Sequence, residues 1–177
     1  MGGSGMNTKV SNYVKKHYSD SKSDLFAVFI EKCMNMTKKN AFQSMITQHA
    51  WMFLSSYEKL RSNIIQNDFI SMAHLGARAF EEIGGEVVQT TSFVLRTSDI
   101  KDYKANFVRL VDFNSQILKQ EAFLAHQNMH TAIKENFSKI PGSPIAYWVS
   151  EKIYKLFEEN KIYDYGECKS GIMTGDD

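Results

Sequence analysis

The sequence predicts an α/β fold, an open sheet with helices at its flanks. Helix and strand patterns alternate over residues 21–96, which is typical of α/β sheets. Two of the strand patterns lie close together around Gly84-Gly85, and this spacing favours an antiparallel pair. Apolar residues make up 43% of the 177 residues, so one domain with a real core is expected.

The bulk properties exclude several classes of protein. The formal net charge of +1 gives no support for a stand-alone nucleic-acid binder, because such domains usually carry a clear basic excess. No apolar run is long enough to cross a bilayer and no secretory signal is visible. Cys33 and Cys168 lack metal-ligand spacing and are predicted to be free thiols, which favours a cytoplasmic location.

The first elements are predicted to be helices. Residues 9–18 form a short polar pattern, and Ser21 with Asp24 gives a helix-start signal for the next segment. Apolar residues then recur at helical spacing and predict a buried face. That face comprises Phe26, Phe29, Ile30 and Cys33.

The middle of the chain is predicted to supply most of the sheet. Residues 41–48 fit a buried strand, and residues 69–75 fit a second one. The helix between them is marked by Tyr57, Leu60, Arg61 and Ile64, and we expect the Arg61 guanidinium to stay in water. Residues 86–96 are rich in Val, Thr and Phe and are predicted to form the antiparallel partner strand.

The signal is weaker after residue 98. A short strand is predicted over residues 107–111, a helix over 114–127 and a loop over 136–141. Ser143 followed by Pro144 predicts another helix start, with an apolar stripe along that helix. The stripe comprises Ile145, Trp148, Val149, Ile153 and Leu156. The tail over residues 163–177 is Gly-rich and is predicted to be poorly ordered.

Three blocks of the sequence, residues 21–32, 45–54 and 73–88, together resemble a known family. They are similar to the second half of the catalytic domain of adenine-specific (N6) DNA methyltransferases, most closely the BREX-type phage-defence enzymes. The triplet Asp24-Leu25-Phe26 matches the opening of a family helix. The resemblance implies a partial Rossmann-like methyltransferase sheet. Residues 42–47, 69–75 and 86–96 would be its fifth, sixth and antiparallel seventh strands.

The resemblance also implies a division of the chain. Residues 1–100 would be the second half of the catalytic sheet. Residues 101–177 would be a helical extension and a linker towards a DNA-recognition region. Residues 1–5 are Gly/Ser-rich. They would be either a native loop or an engineered linker, and the native reading is favoured.

The features that bind S-adenosylmethionine in the resembled enzymes are missing from the sequence. It contains no Asn-Pro-Pro-Tyr, and no Gly-rich turn followed by an acid that would hold a ribose. We therefore expect this chain to be a fragment that is inactive alone and supplies no catalytic or cofactor-binding residue. The parent enzyme would use S-adenosylmethionine to methylate adenine in double-stranded DNA.

Phe80 and Arg78 are the two predicted substrate-binding residues. In the resembled family an aromatic residue follows a strand ending in Leu-Gly, as Phe80 follows Leu75-Gly76 here, and packs on the adenine that leaves the duplex. Arg78 would reach a DNA phosphate. The alternatives are that Phe80 packs under a loop and that Arg78 is a surface residue without a role. Trp51 and Phe53 are predicted to be core residues.

Other features predict no chemistry. His126 and His130 are four residues apart and would share a helix face, but no third ligand is placed by sequence, so no metal site is predicted. An alternative function from a different class is also open. The chain would then be a non-catalytic protein-interaction module. In either case the exposed edge left by the missing strands predicts self-association or pairing with a partner strand.

Overall fold

The computed structural model describes residues 2–80, 88–158 and 166, and within them it contains six α-helices and five strands. The helices are α1 (Thr8–His17), α2 (Leu25–Met36), α3 (Glu58–Ile65), α4 (Gln116–Leu124), α5 (Lys134–Phe137) and α6 (Glu151–Leu156). The strands are β1 (Phe42–Gln48), β2 (Asp68–Gly76), β3 (Thr90–Arg96), β4 (Lys104–Arg109) and β5 (Met129–Ile133). The predicted α/β class is confirmed.

The strands form one sheet in the order β1-β3-β2-β4-β5. β3 is antiparallel to both of its neighbours, β2 is parallel to β4, and β5 is antiparallel to β4. The predicted antiparallel pairing of β2 with β3 is therefore confirmed. Because β1, β2 and β4 run in the same direction, their carboxyl ends meet at one edge of the sheet, here called the carboxyl edge.

The start of α2 follows the predicted signal in part. Asp24 is the N-cap, and its side chain accepts a hydrogen bond from the Phe26 amide. Ser21 instead donates to the Glu31 carboxylate at 2.5 Å. The expectation that Phe29 is buried was wrong, since it is 52% exposed while Ala27, Val28 and Ile30 face the core. The helix contacts the sheet along one stripe only, and Phe29 lies outside it.

β1 is an edge strand, and only one of its faces is covered. Gln43 and Thr47 are buried on the face that α2 packs against. Phe42 and Ile46 point to the opposite face and are 62% and 59% exposed. The prediction of a fully buried strand was therefore wrong, because no described element lies over that face of β1.

The second part of the chain adds two strands to the sheet. β4 overlaps the predicted strand over 107–111, while β5 had no predicted counterpart. His126 lies in a turn after α4 and His130 in β5, so the two do not share a helix face. The region over residues 101–177, expected to be a helical extension, thus contributes two strands to the same sheet, with α4 between them.

The helix predicted to start at Ser143 is absent, and α6 begins only at Glu151. Ser143 has a φ of 48°, which is incompatible with an N-cap. The segment over residues 141–150 is held by tertiary contacts instead: the Ile145 amide donates to the Met52 carbonyl, and the Tyr154 hydroxyl donates to the Ala146 carbonyl. Of the residues beyond Glu158 only Gly166 is described, so the predicted tail lies almost wholly outside the described residues.

The amino end of β2 is anchored by a buried ion pair. Asp68 accepts from the Lys134 ammonium at 2.8 Å, from the Ser98 hydroxyl at 2.6 Å and from the Ile100 amide. Burial alone would raise the pKa of Asp68, but these donors together lower it below its ordinary value. In the part of the chain described above, no helix is long and apolar enough to span a bilayer.

Candidate functional site

Six side chains from four segments meet at the carboxyl edge of the sheet. The segment after β1 supplies two of them, β2 and the end of β4 supply one each, and the segment over residues 141–150 supplies the last two. We call them the carboxyl-edge cluster: His49, Phe53, His74, Arg109, Tyr147 and Trp148.

A continuous hydrogen-bond chain runs through the cluster. His49 Nδ1 lies 2.8 Å from His74 Nε2, and His74 Nδ1 lies 3.2 Å from the Tyr147 hydroxyl. His74 is 4% exposed and Tyr147 is 2% exposed, whereas His49 is only half-buried. The chain therefore leads from the interior of the sheet towards the surface at its carboxyl edge.

The buried groups of the cluster are neutral at neutral pH. Burial, followed by the neighbouring imidazole of His49 and the positive charges of Arg109 and Lys119, lowers the pKa of His74 to about 3. Burial also lowers the pKa of His49. Burial raises the pKa of Tyr147 despite the neighbouring Arg109 guanidinium. The chain therefore consists of two uncharged imidazoles and a protonated phenol.

Aromatic rings and one cation surround the two histidines. Phe53 packs edge-on against His49 with centroids 5.6 Å apart and against Trp148 at 5.8 Å. The Arg109 guanidinium lies 5.2 Å from the centre of the Trp148 ring, within cation–π range. Trp148 remains 38% exposed, so the cluster presents a flat apolar surface together with polar groups.

Arg61 joins the two loops that carry most of the cluster. Its guanidinium donates twice to the Gly142 carbonyl, at 2.9 and 2.7 Å, and once each to the Trp51 and Leu54 carbonyls. The prediction that this guanidinium stays in water was wrong: Arg61 is 1% exposed. It ties the loop after β1 to the segment over residues 141–150.

The predicted substrate-binding residues lie at the same edge of the sheet. Arg78 and Phe80 follow the end of β2, where Gly76 adopts a φ of 69° and Arg78 a φ of 55°. Phe80 is 39% exposed, so its ring is accessible. Trp51 is fully buried, as predicted for a core residue.

Reasoning from the sequence missed the carboxyl-edge cluster. A usable signal was present, because His49 follows one predicted strand directly and His74 lies near the end of the next. Side chains at the carboxyl ends of strands in one sheet converge in space. The family resemblance predicted Phe80 and Arg78 as site residues instead.

The described residues do not form a nucleotide-cofactor cradle. Gly76 is the only glycine that directly follows or ends a described strand at the carboxyl edge, and a side chain fills the space in front of it. An added Cβ there would lie 2.9 Å from a Val111 methyl group, so the side of Gly76 from which a Cβ would project is already packed. Within residues 2–80, 88–158 and 166 no cluster of three His, Cys, Asp or Glu side chains is placed to hold a metal.

Comparison with known proteins identifies relatives of this chain. Residues 1–80 match the Eco57I restriction-modification methylase family. The whole chain is similar to the adenine-specific methyltransferase PglX of Lacticaseibacillus casei (strain Zhang), with 48% identity over 183 residues and 99% of the chain covered. The chain is thus similar to a segment of this methyltransferase. The adenine-specific methyltransferase BrxX of Escherichia coli O9:H4 (strain HS) is 47% identical over 151 residues, 85% of the chain.

The matched segment is a small part of these methyltransferases. The chain spans 15% of the length of PglX and 12% of that of BrxX. The resemblance stated from the residues is thereby confirmed.

Two solved structures are also similar. One is the methyltransferase subunit of a type I restriction-modification system from Streptococcus thermophilus, with a TM-score of 0.46, 14% identity, and coverage of 73% of this chain and 32% of that one. The other is the type IIG restriction endonuclease BpuSI, with a TM-score of 0.47, 11% identity, and coverage of 75% and 18%.

Proposed function

We propose that this chain is part of an enzyme that transfers a methyl group from S-adenosylmethionine to N6 of adenine in double-stranded DNA. The enzyme would serve a restriction-modification or phage-defence system in the cytoplasm. The observation that carries this proposal is the 48% identity to an adenine-specific methyltransferase over 99% of the chain. S-adenosylmethionine would be held by polypeptide other than the described residues, since the sequence contains no Asn-Pro-Pro-Tyr and no Gly-rich turn followed by an acid that would hold a ribose. The isolated chain would therefore be inactive.

The contribution of this chain would be one half of the catalytic sheet and part of the DNA cleft. The strands β1, β3 and β2 would be the fifth, seventh and sixth strands of the complete sheet, and the antiparallel position of β3 between β1 and β2 supports this assignment. Residues 1–100 would form this half. Residues 101–177 would extend the sheet through β4 and β5 and lead towards a DNA-recognition region.

Phe80 would be the platform for the target adenine. An enzyme that modifies a base inside a duplex must extract it, and a flat π surface compensates for the lost stacking. Phe80 suits this role because it follows the carboxyl end of β2 and keeps an accessible ring. Arg78, two residues earlier at the same edge, would contact a DNA phosphate.

The proposal is tested by methylation kinetics of the full-length protein that contains this chain. Loss of one base–aromatic stack is worth about 1–3 kcal/mol, so Phe80→Ala should lower kcat/KM by roughly 5- to 150-fold. Phe80→Tyr should retain most of the activity, because the ring is kept. Phe29→Ala removes another exposed ring, on α2, which is 52% exposed against 39% for Phe80, and serves as the matched control.

Two outcomes would contradict different parts of this proposal. A full-length protein that transfers no methyl group to DNA would overturn the proposed activity. An active protein in which Phe80→Ala and Phe29→Ala behave alike would leave the activity in place but remove Phe80 from the substrate site.

A protein-interaction module is the second candidate function, and one observation favours it. Within the described residues β1 pairs with no strand on its outer side, and Phe42 and Ile46 are exposed on its uncovered face. Such an edge readily pairs with another strand. The isolated chain should therefore self-associate with rising concentration in sedimentation velocity experiments. Ile46→Lys should weaken this association, whereas Lys39→Ala should not; a chain that stays monomeric would contradict the idea.

A further inference from the structure

Two lysines are buried within the described ranges, and their surroundings differ. Lys134 is 6% exposed, and its ammonium pairs with the carboxylates of Asp68 and Asp99 at 2.8 and 2.6 Å. Lys119 on α4 is 4% exposed, but the acceptor that its ammonium reaches is a neutral one, the Leu110 carbonyl at 2.7 Å. The two buried cations are thus compensated to different degrees.

The Lys119 ammonium lacks an anion among the described residues. Asp112 is the acidic residue whose charge acts on it, but that carboxylate forms its ion pair with Arg109, at 3.3 Å. Burial therefore lowers the pKa of Lys119, although the charge of Asp112 opposes this effect. A lysine is rarely buried without a charged partner, and an ammonium has three donors, of which the Leu110 carbonyl uses one.

Lys119 lines a cavity of about 290 Å³ between α4 and β2. This volume is near the lower end of the range for small-molecule sites, about 300–1,000 Å³. The cavity is reachable from solvent, because some of its lining side chains are exposed. The Lys119–Leu110 hydrogen bond joins two lining residues, so a ligand in the cavity would lie close to the ammonium. The lining includes Ala73, Leu75, Leu110, Gln116, Lys119 and Phe123.

The composition of the lining selects the chemistry of the ligand. A buried ammonium favours an anion, because a charge-assisted hydrogen bond compensates for the solvation that the cation has lost. Lys119 is the one cation in the described part of the lining, which suits a single negative charge better than the multiple charge of a phosphate. The walls are mostly apolar, since Ala73, Leu75, Leu110 and Phe123 contribute to them, and they suit an apolar ligand body.

We propose that this cavity binds a small monocarboxylate with an apolar body, and that its carboxylate accepts hydrogen bonds from the Lys119 ammonium. The apolar body packs against Leu75 of β2 and Phe123 of α4. The Leu110 carbonyl keeps the ammonium at the cavity wall in the absence of the ligand. The site is distinct from the carboxyl-edge cluster, since no residue of that cluster belongs to the described lining, and it does not depend on methyl transfer.

The test is isothermal titration calorimetry of the full-length protein with octanoate at pH 7. Octanoate carries one carboxylate on an apolar chain, and octylammonium carries the opposite charge on the same chain. Octanoate should bind saturably, whereas octylammonium should not bind. Lys119→Met keeps the apolar stem but removes the ammonium, and loss of a hydrogen bond between charged groups should weaken octanoate binding by roughly 13- to 160-fold. Lys152→Met removes an exposed lysine on α6 and should bind octanoate like the wild type.

The Lys119→Met variant should fold, because the Leu110 carbonyl still accepts from the Phe113 amide at 3.3 Å. Ala73→Leu is a second variant, which fills part of the cavity but keeps the ammonium, and it should also weaken octanoate binding. Equal affinity of Lys119→Met and the wild type for octanoate, or a wild type that does not bind it, would overturn the proposal. A carbodiimide cross-link from Lys119 to an acidic residue elsewhere in the full-length protein would also overturn it, since the cation would then be paired already.

Discussion

Arg61 is not part of the carboxyl-edge cluster, yet we expect its substitution to disturb the cluster more than the substitution of any other residue outside it. The guanidinium makes four hydrogen bonds to three carbonyl oxygens from two loops, and those loops carry four of the six cluster residues. Arg61→Met keeps the length and the apolar stem of the side chain but removes every donor. The change therefore isolates the contribution of the guanidinium.

The size of the effect follows from which carbonyls keep another donor. The Leu54 carbonyl still accepts from the Tyr57 amide, whereas no other described donor reaches the carbonyls of Trp51 and Gly142. A buried group left unsatisfied costs about 1–3 kcal/mol, so two such carbonyls should lower the free energy of unfolding by about 4 kcal/mol. Burial lowers the pKa of Arg61, which shows that its charge is poorly solvated. Arg61→Met removes this desolvation cost, and the removal offsets part of the destabilisation.

The assays are urea denaturation and thermal unfolding of the chain, both followed by tryptophan fluorescence. For a chain of this size the melting temperature should fall by roughly 8–16 °C if the free energy changes by 4 kcal/mol. Lys59→Met on the exposed side of α3 is the matched control and should change the stability by less than about 0.5 kcal/mol. An Arg61→Met variant as stable as that control would refute the view that Arg61 joins the two loops.

Three further predictions address ionisable groups. Asp68→Asn should destabilise the chain by about 3–5 kcal/mol at pH 7, because it leaves the Lys134 ammonium underpaired. Folding lowers the pKa of Asp68, so the difference in unfolding free energy between wild type and variant should be full above pH 3.8 and should disappear at lower pH. His74 has a folded pKa of about 3 against 6.5 unfolded, so the unfolded state binds its proton first as the pH falls. Stability should therefore drop by about 2 kcal/mol between pH 7 and pH 5, and His74→Gln should lose that share of the pH dependence. Arg78→Ala in the full-length protein should weaken DNA binding at all sequences and reduce the slope of log K against log salt by about 1, whereas Lys39→Ala should leave the slope unchanged.

Local sequence patterns were sufficient to predict the elements whose conformation is determined by residues close together in the sequence. α3 follows from the helical spacing of Leu60 and Ile64. The pairing of β2 with β3 follows from their succession along the chain, although the 13 residues 77–89 separate the two strands. The N-cap at Asp24 is likewise a local effect, because its acceptor lies two residues from the amide that it satisfies. For these elements tertiary packing and local preference agree.

The features that were not predictable depend on contacts between distant residues. Ser143-Pro144 has a good helix-start sequence, but a hydrogen bond from Ile145 to Met52 holds the segment in another conformation. The burial of Arg61 depends on the carbonyl of Gly142, 81 residues away. His49 and His74 are 25 residues apart and meet only because β3 places the ends of β1 and β2 at one edge.

The identity of the methylated nucleoside tests the central claim most directly. The full-length protein is incubated with unmethylated DNA and S-adenosylmethionine carrying a deuterated methyl group, and the DNA is digested and analysed by mass spectrometry. The account predicts deuterated N6-methyldeoxyadenosine, and none in a reaction without protein. Label found only on cytosine, or on no nucleoside, would contradict the account.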